Sequence, residues 1–291
     1  MDDMAPTART TDVAALALEY GDRLVLGAVR DVHAAVAGRA FRATRLVGSR
    51  VPEFVHDAVT ASVYGSVSGA LRLSGATARA LADRGGGTPV EDSRWGRQVR
   101  AAVNGLVGDE LRSLGDPQAI TMTVRVAGTD VPATAWHLRK AYPDATGHVV
   151  VLVHGLCESD EAWDAGRRER PTYAQRIARE TGGTPVTVRY NTGLHVAANG
   201  RELAALLERL VAAWPVPVEE IAILAHSMGG LVVRSAFPRG TGARPAWPRL
   251  VKRIVFLGTP HDGAPLERGG RWIDAALDAS PYTTAFARLG R

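Results

Sequence analysis

The chain has 291 residues, 46% of them hydrophobic and 22% charged, which is ordinary for a globular protein and enough to bury a core without disulfide or metal staples. Its single cysteine, Cys157, excludes an intramolecular disulfide and a zinc site built on cysteines. The net charge of +5 is carried almost wholly by arginine, with Lys140 and Lys252 the two lysines; the basic residues are dispersed and not interleaved with aromatics, so they read as coding bias, and no nucleic-acid partner is expected.

The opening MDDMAPTARTTD is acidic and polar, unlike a secretory signal peptide. No apolar run reaches the roughly 20 residues that span a bilayer, and the uncharged stretch Ala58 to Leu71 is short and rich in Ser and Gly. A cytoplasmic location is therefore expected, with peripheral membrane contact left open.

From about Thr11 to Leu114 the chain is Ala-rich and helical in pattern. Val13, Leu16, Ala17, Tyr20, Leu24 and Val25 recur at helical spacing. A second helical region runs from Val51 to Leu81, with Pro52 at its start, until Gly85-Gly86-Gly87 and Pro89 break it. Trp95, Val99, Ala102, Val103, Leu106 and Val107 form a third stripe that stops near Gly115 and Pro117. Residues 1–116 are accordingly expected to be a helical annex without catalytic groups, and 117–291 an α/β domain.

From Ala119 the pattern alternates. Ile120, Met122, Val124 and Val126 predict a strand, Gly128-Thr129-Asp130 a turn, and Ala133, Ala135 and His137 a partner strand. His148 to Val153 is a continuous apolar run, the mark of a strand buried on both faces, and the signal returns at Thr184 to Tyr190, Ile221 to Ala225 and Arg253 to Leu257. Helices lie between: Thr172 to Glu180, stopped by Gly182-Gly183, and Gly200 to Trp214, with Asn199 at its N-cap and Glu202 at its third position. This alternation predicts a mostly parallel sheet with helices on both faces and an antiparallel hairpin at its start.

Three segments carry chemistry. In Ile221-Ala-Ile-Leu-Ala225-His226-Ser227-Met228-Gly229-Gly230 a serine sits where a buried strand meets a helix. A nucleophile there must occupy a sharp turn, which crowds the positions two before and two after it; Ala225 and Gly229 are small. The bland alternative is a serine that merely caps a helix. In Val153-His154-Gly155-Leu156-Cys157 a glycine turns the chain after a strand, so that the Leu156 N–H can join the Met228 N–H as a two-donor oxyanion hole. The third segment, Leu257-Gly258-Thr259-Pro260-His261-Asp262-Gly263, ends a strand at the same sheet edge; His261 and Asp262 read there as solvated loop residues ahead of catalytic ones.

Together these segments resemble bacterial lipases and esterases of the α/β-hydrolase superfamily, and within it the lipase-like group related to GPI inositol-deacylases. Trp163 and Arg189-Tyr190-Asn191-Thr192-Gly193 also fit that group, and the resemblance covers roughly Ala119 to Arg291. It implies Ser227 as nucleophile and the amides of Leu156 and Met228 as oxyanion donors. The superfamily usually places its acid after a later strand and its histidine after the last one. No histidine follows His261, so the general base stays unassigned and the expectation is a hydrolase sheet lacking its last strands.

The remaining candidates are weighed against simpler roles. His154 reads as a brace of the oxyanion loop, His195 as a surface loop histidine at the active edge, and His226 as structural packing. Cys157 reads as a small buried residue. Ala61, Gly65 and Gly69 fit close packing in a helical bundle, with a membrane-surface role left open. Trp272, Ile273, Ala276 and Leu277 fit either a lid or ordinary docking. The leading expectation is hydrolysis of carboxylic esters, lipid esters included, with no metal and no organic cofactor. The alternatives are a non-catalytic hydrolase-fold binding protein and a thioesterase or acyltransferase.

Overall fold

The computed structural model describes residues 8–22, 68–164, 171–237 and 245–261. These fall into two compact units, one of residues 8–22 and 68–89, the other of residues 90–164, 171–237 and 245–261.

In the smaller unit helix α1 (Thr10–Tyr20) buries Val13, Ala15, Leu16 and Tyr20 on one face. Its start is fixed by the Arg9 N–H donating to Asp12 Oδ2 at 2.8 Å and by the Thr10 N–H donating to Thr88 O at 2.9 Å. Residues 68–83 are helical, and two ion pairs, Arg72–Asp22 and Arg79–Glu19, join them to α1 and the residues after it. The annex expected over 1–116 is thus helical in these parts, while most of Val51 to Leu81 lies outside the described residues.

The larger unit begins with a 3-10 turn at Val90–Asp92 and helix α2 (Arg94–Ser113), capped by Ser93. The hairpin β1 (Thr123–Val126) and β2 (Thr129–Val131) follows, then α3 (Ala135–Ala141), β3 (His148–Val153), α4 (Tyr173–Thr181), β4 (Thr184–Arg189), α5 (Val196–Ala213), β5 (Glu220–His226), α6 (Met228–Ala236), α7 (Trp247–Leu250) and β6 (Val251–Leu257). The six strands form one sheet in the order β2-β1-β4-β3-β5-β6. β1 runs antiparallel to both neighbours, and β4, β3, β5 and β6 are mutually parallel. The mostly parallel sheet with a hairpin at its start is therefore present, with the four parallel strands at the apolar runs.

Burial explains the layering. Val149, Val151, Leu152 and Val153 of β3 are all essentially inaccessible, because helices cover both faces of the central strands. Helix α5 turns Leu203, Leu206, Leu207 and Leu210 into the same core, each contributing about 2 kcal/mol through burial. Thr172 and Gln175 form a reciprocal capping box at the start of α4, and Gly182, in the left-handed region at φ 67°, ends it. At the hairpin edge the buried guanidinium of Arg125 meets Glu91, Asp130 and Asp160, and that of Arg189 meets Glu91 and Asp130. This network fastens the 90–92 turn to the sheet and compensates two charges that would each be costly alone.

Three local expectations are corrected. The hairpin turn is Ala127-Gly128, both at positive φ, as a two-residue turn of primed type requires; Thr129 and Asp130 already pair with Val126 and Arg125. The partner strand consequently ends before Pro132, which lacks an N–H for the ladder, and Ala135 and His137 lie in α3 instead, which buries Leu138. Finally, α5 starts at Val196, four residues earlier than expected. Asn199 is inside it, and its Nδ2 donates to Asn191 O at 2.9 Å and Leu194 O at 3.3 Å, so that its side chain ties down a loop and caps nothing. Helix α2, placed with the annex by its composition, lies in the sheet unit. Among the described residues no helix is long and apolar enough to cross a membrane.

Candidate active site

Ser227 stands between β5 and α6 with φ 49° and ψ −124°, a conformation that side chains rarely adopt and that costs of order 1–3 kcal/mol. The surroundings hold it there. Its N–H donates to Leu257 O at the end of β6 (2.8 Å). Ala225, fully buried, is paired between Val153 and Phe256. A Cβ on Gly229 would lie 2.5 Å from His154 O and 2.7 Å from Val153 O, and one on Gly230 would run into the Thr259 side chain and the Phe256 ring. The helix therefore approaches the ends of β3 and β6 more closely than any side chain at these positions allows.

The turn after β3 meets the elbow. A Cβ on Gly155 would lie 3.1 Å from Ser227 Cβ and 3.1 Å from His226 Nδ1. Leu156 and Cys157 complete the turn, Cys157 at φ 59°, and the Glu158 N–H donates to Gly155 O at 3.3 Å. The N–H groups of Leu156 and Met228 make no hydrogen bond among the described residues. Both follow directly on residues that meet at this junction, Gly155 and Ser227, and the second opens helix α6, whose N-terminal partial positive charge favours an anion.

The histidines occupy different settings. His154 is fully buried, stacked on Tyr190 with ring centroids 4.5 Å apart. Its Nδ1 donates to Gly155 O at 3.0 Å, its own carbonyl accepts from the Tyr190 hydroxyl at 2.8 Å, and burial pushes its pKa down to about 4. A neutral, enclosed imidazole of this kind supports the turn. His195 is exposed at the N-terminus of α5. His261 is exposed, its Nδ1 accepts from the Arg234 guanidinium at 3.0 Å, and its ring meets Phe256 edge-on. His226 Nδ1 pairs with Glu158 Oε2 at 2.9 Å. Ser227 Oγ makes no hydrogen bond among the described residues. Asp262 lies outside them, as do Ala61, Gly65, Trp272, Ile273, Ala276 and Leu277.

Cys157 is half-buried, and desolvation first and the Glu158 charge second raise its thiol pKa, which disfavours the thiolate that a nucleophile needs. Among the described residues no group of three or more His, Cys, Asp or Glu side chains could hold a metal ion.

Two features went unread in the sequence. One is Glu158, whose carboxylate sits between Gly155 and His226; an acidic residue in a post-strand loop carries no periodic signal. The other is α2, which packs on the loops after β3 and β4. A Cβ on Gly105 would collide with Cys157, and one on Gly108 with the Asn191 side chain. Asn191 Nδ2 donates to Gly108 O at 2.8 Å, just past the non-helical Val107, and Cys157 N–H donates to Thr192 Oγ1 at 3.1 Å. The pair Gly105 and Gly108 within a helical stripe was the available clue to a close approach.

A mostly parallel sheet with a strand–serine–helix elbow, and a glycine turn from the neighbouring strand against it, is the architecture of the α/β-hydrolase fold. Residues 144–276 match the family model described as a PGAP1-like alpha/beta domain. Two solved structures are similar, both of the Bacillus licheniformis lipase BlEst2. The propeptide form shares 22% identity at a TM-score of 0.32, over 54% of this chain and 30% of that one. The mature form shares 21% at 0.31, over 58% and 56%. The chain thus spans from under a third to just over half of the lipase chains it matches. No curated protein matches it.

Proposed function

We propose that this protein hydrolyses carboxylic esters through an acyl-enzyme on Ser227. The observation that carries the reading is the strained Ser227 backbone at φ 49° held against the Gly155 turn. Strain of this kind persists only where the surroundings enforce it, and it clusters at functional sites. Ser227 Oγ attacks the acyl carbon, and the carbonyl oxygen becomes an oxyanion received by the N–H groups of Leu156 and Met228. The alcohol departs with the proton that Ser227 gives up. Water then cleaves the acyl-enzyme to the free acid and restores the hydroxyl. The match to a PGAP1-like alpha/beta domain supports a lipid ester as substrate class.

The test is covalent labelling of the 291-residue chain with a fluorophosphonate, read by intact mass and peptide mapping, beside turnover of a short-chain aryl ester. One label per chain at Ser227, lost together with turnover in Ser227→Ala, is the expected result. Turnover unchanged in Ser227→Ala refutes the reading. No label and no turnover favours a non-catalytic hydrolase-fold protein that binds an apolar ligand.

A further inference from the structure

The peptide plane between Gly155 and Leu156 decides where the first oxyanion donor points. A trans peptide is planar, so fixing its carbonyl fixes the opposite N–H. Gly155 O accepts two bonds, from Glu158 N at 3.3 Å and from His154 Nδ1 at 3.0 Å. The preceding amide is fixed as well, because Gly155 N–H donates to Glu158 Oε2 at 2.7 Å. That same oxygen meets His226 Nδ1 at 2.9 Å. An ionised carboxylate only accepts, so His226 carries a proton on Nδ1. Glu158 therefore ties the turn after β3 to the last residue of β5, next to Ser227. There is no slack in the junction: a Cβ on Gly155 would sit within 3.0 Å of Glu158 Oε2 and 3.1 Å of both His226 Nδ1 and Ser227 Cβ.

We infer that Glu158 is a positioning residue of the esterase site: by bridging Gly155 N–H and His226 Nδ1–H through one carboxylate oxygen, it holds the Leu156 N–H at the distance from Ser227 that an oxyanion requires. The inference rests on the ester-hydrolase reading of Ser227. It asks for more than a stable loop, because β3 and β5 are already paired up to Val153 and Ala225 without Glu158. What the bridge adds is the placement of one amide. Oxyanion stabilisation depends on donors set to within a fraction of an ångström, and a shift of about 1 Å costs roughly a hundredfold in rate.

The experiment compares Glu158→Ala, Glu158→Gln, His226→Leu and His226→Asn with the parent chain in aryl-ester turnover and in the rate of Ser227 phosphonylation. Glu158→Ala should lower kcat and the phosphonylation rate about 10- to 100-fold with little change in KM. Glu158→Gln, whose Oε1 accepts from both donors, and His226→Asn, whose Nδ2 stands where Nδ1 was, should each recover most of the rate. Glu158→Ala combined with His226→Leu should lose no more than the worse of the two, as partners in one bridge do. Imidazole nitrogen shifts of the parent should show His226 protonated at Nδ1. If Glu158→Ala does not fold, the two His226 variants and the nitrogen shifts decide the matter. The inference is overturned by a Glu158→Ala kcat within about threefold of the parent, by a loss confined to KM, by additive losses, or by an Nδ1 without its proton. Unchanged turnover in Ser227→Ala would instead remove the esterase reading, and Glu158's role with it.

Discussion

Replacing Gly229 by alanine would test the closeness of α6 to β3 on which the elbow depends. The added Cβ would lie 2.5 Å from His154 O and 2.7 Å from Val153 O, where ordinary contact begins at 3.4 Å. Both oxygens belong to backbone in or next to the most buried strand of the sheet, so neither can swing aside as a flexible side chain would. The helix must lift by most of an ångström. Overpacking of this kind costs about 1–3 kcal/mol, and a clash with two fixed carbonyls belongs at the upper end. For a domain of this size that is a fall in Tm of roughly 5–10 °C. Moving Met228 N–H by the same distance should cost about a hundredfold in kcat. Gly69→Ala is the control, since nothing lies within 4 Å of a Cβ there; its Tm should stay within about 2 °C of the parent. Scanning calorimetry and aryl-ester turnover read both effects. A Gly229→Ala protein melting within about 1 °C of the parent would refute the argument that the glycine is required for close approach.

Three further outcomes are expected. Ser227→Gly should abolish phosphonylation yet raise stability by about 1 kcal/mol over Ser227→Ala, because glycine relieves the strain at φ 49°; equal unfolding free energies in urea would contradict it. Acid should destabilise the fold through His154. Its folded pKa is held down to about 4, so the unfolded chain takes up the proton first, and up to about 3 kcal/mol of stability present above pH 6.5 is lost as the pH falls to 4; the decline between pH 7 and 4 should be visibly shallower in His154→Gln. Asn191→Ala should cost about 2–3 kcal/mol in urea unfolding, since it strands the buried Gly108 O and frees Gly193 N–H; a loss under about 0.5 kcal/mol would show that neither bond matters.

The central sheet was legible because its strands are buried on both faces, which leaves uninterrupted apolar runs such as His148 to Val153. The elbow was legible because steric crowding leaves few residue choices around Ser227. The hairpin was half legible. Its alternation is real, but the turn rests on Ala127 accepting a positive φ, a choice that its side chain disfavours and the register of Arg125 with Asp130 imposes. Asn199 looked like a cap because asparagine usually competes for free amides at a helix start; here the loop after β4 supplies the carbonyls that claim it. Glu158 was illegible for a related reason. Its partners are the backbone of a residue three positions earlier and a histidine 68 positions later, and neither contact leaves a pattern in the sequence. The role of α2 was missed because composition groups it with the helices before it, whereas its glycines are matched to Cys157 and Asn191 far along the chain.

The pairing of β3 with β5, from His148 opposite Glu220 to Val153 opposite Ala225, has a consequence for the order of events during folding. The two halves of the proposed oxyanion site are roughly seventy residues apart in the chain, and such contacts form late because loop closure must be met before they are rewarded. The β1–β2 hairpin and helix α5 can form from local contacts alone. Ser227 cannot be forced to φ 49° until β5 has docked on β3 and the Leu257 carbonyl at the end of β6 has arrived to take its N–H. Reactivity toward a fluorophosphonate during refolding should therefore appear last, after the far-ultraviolet circular dichroism signal has reached its native value.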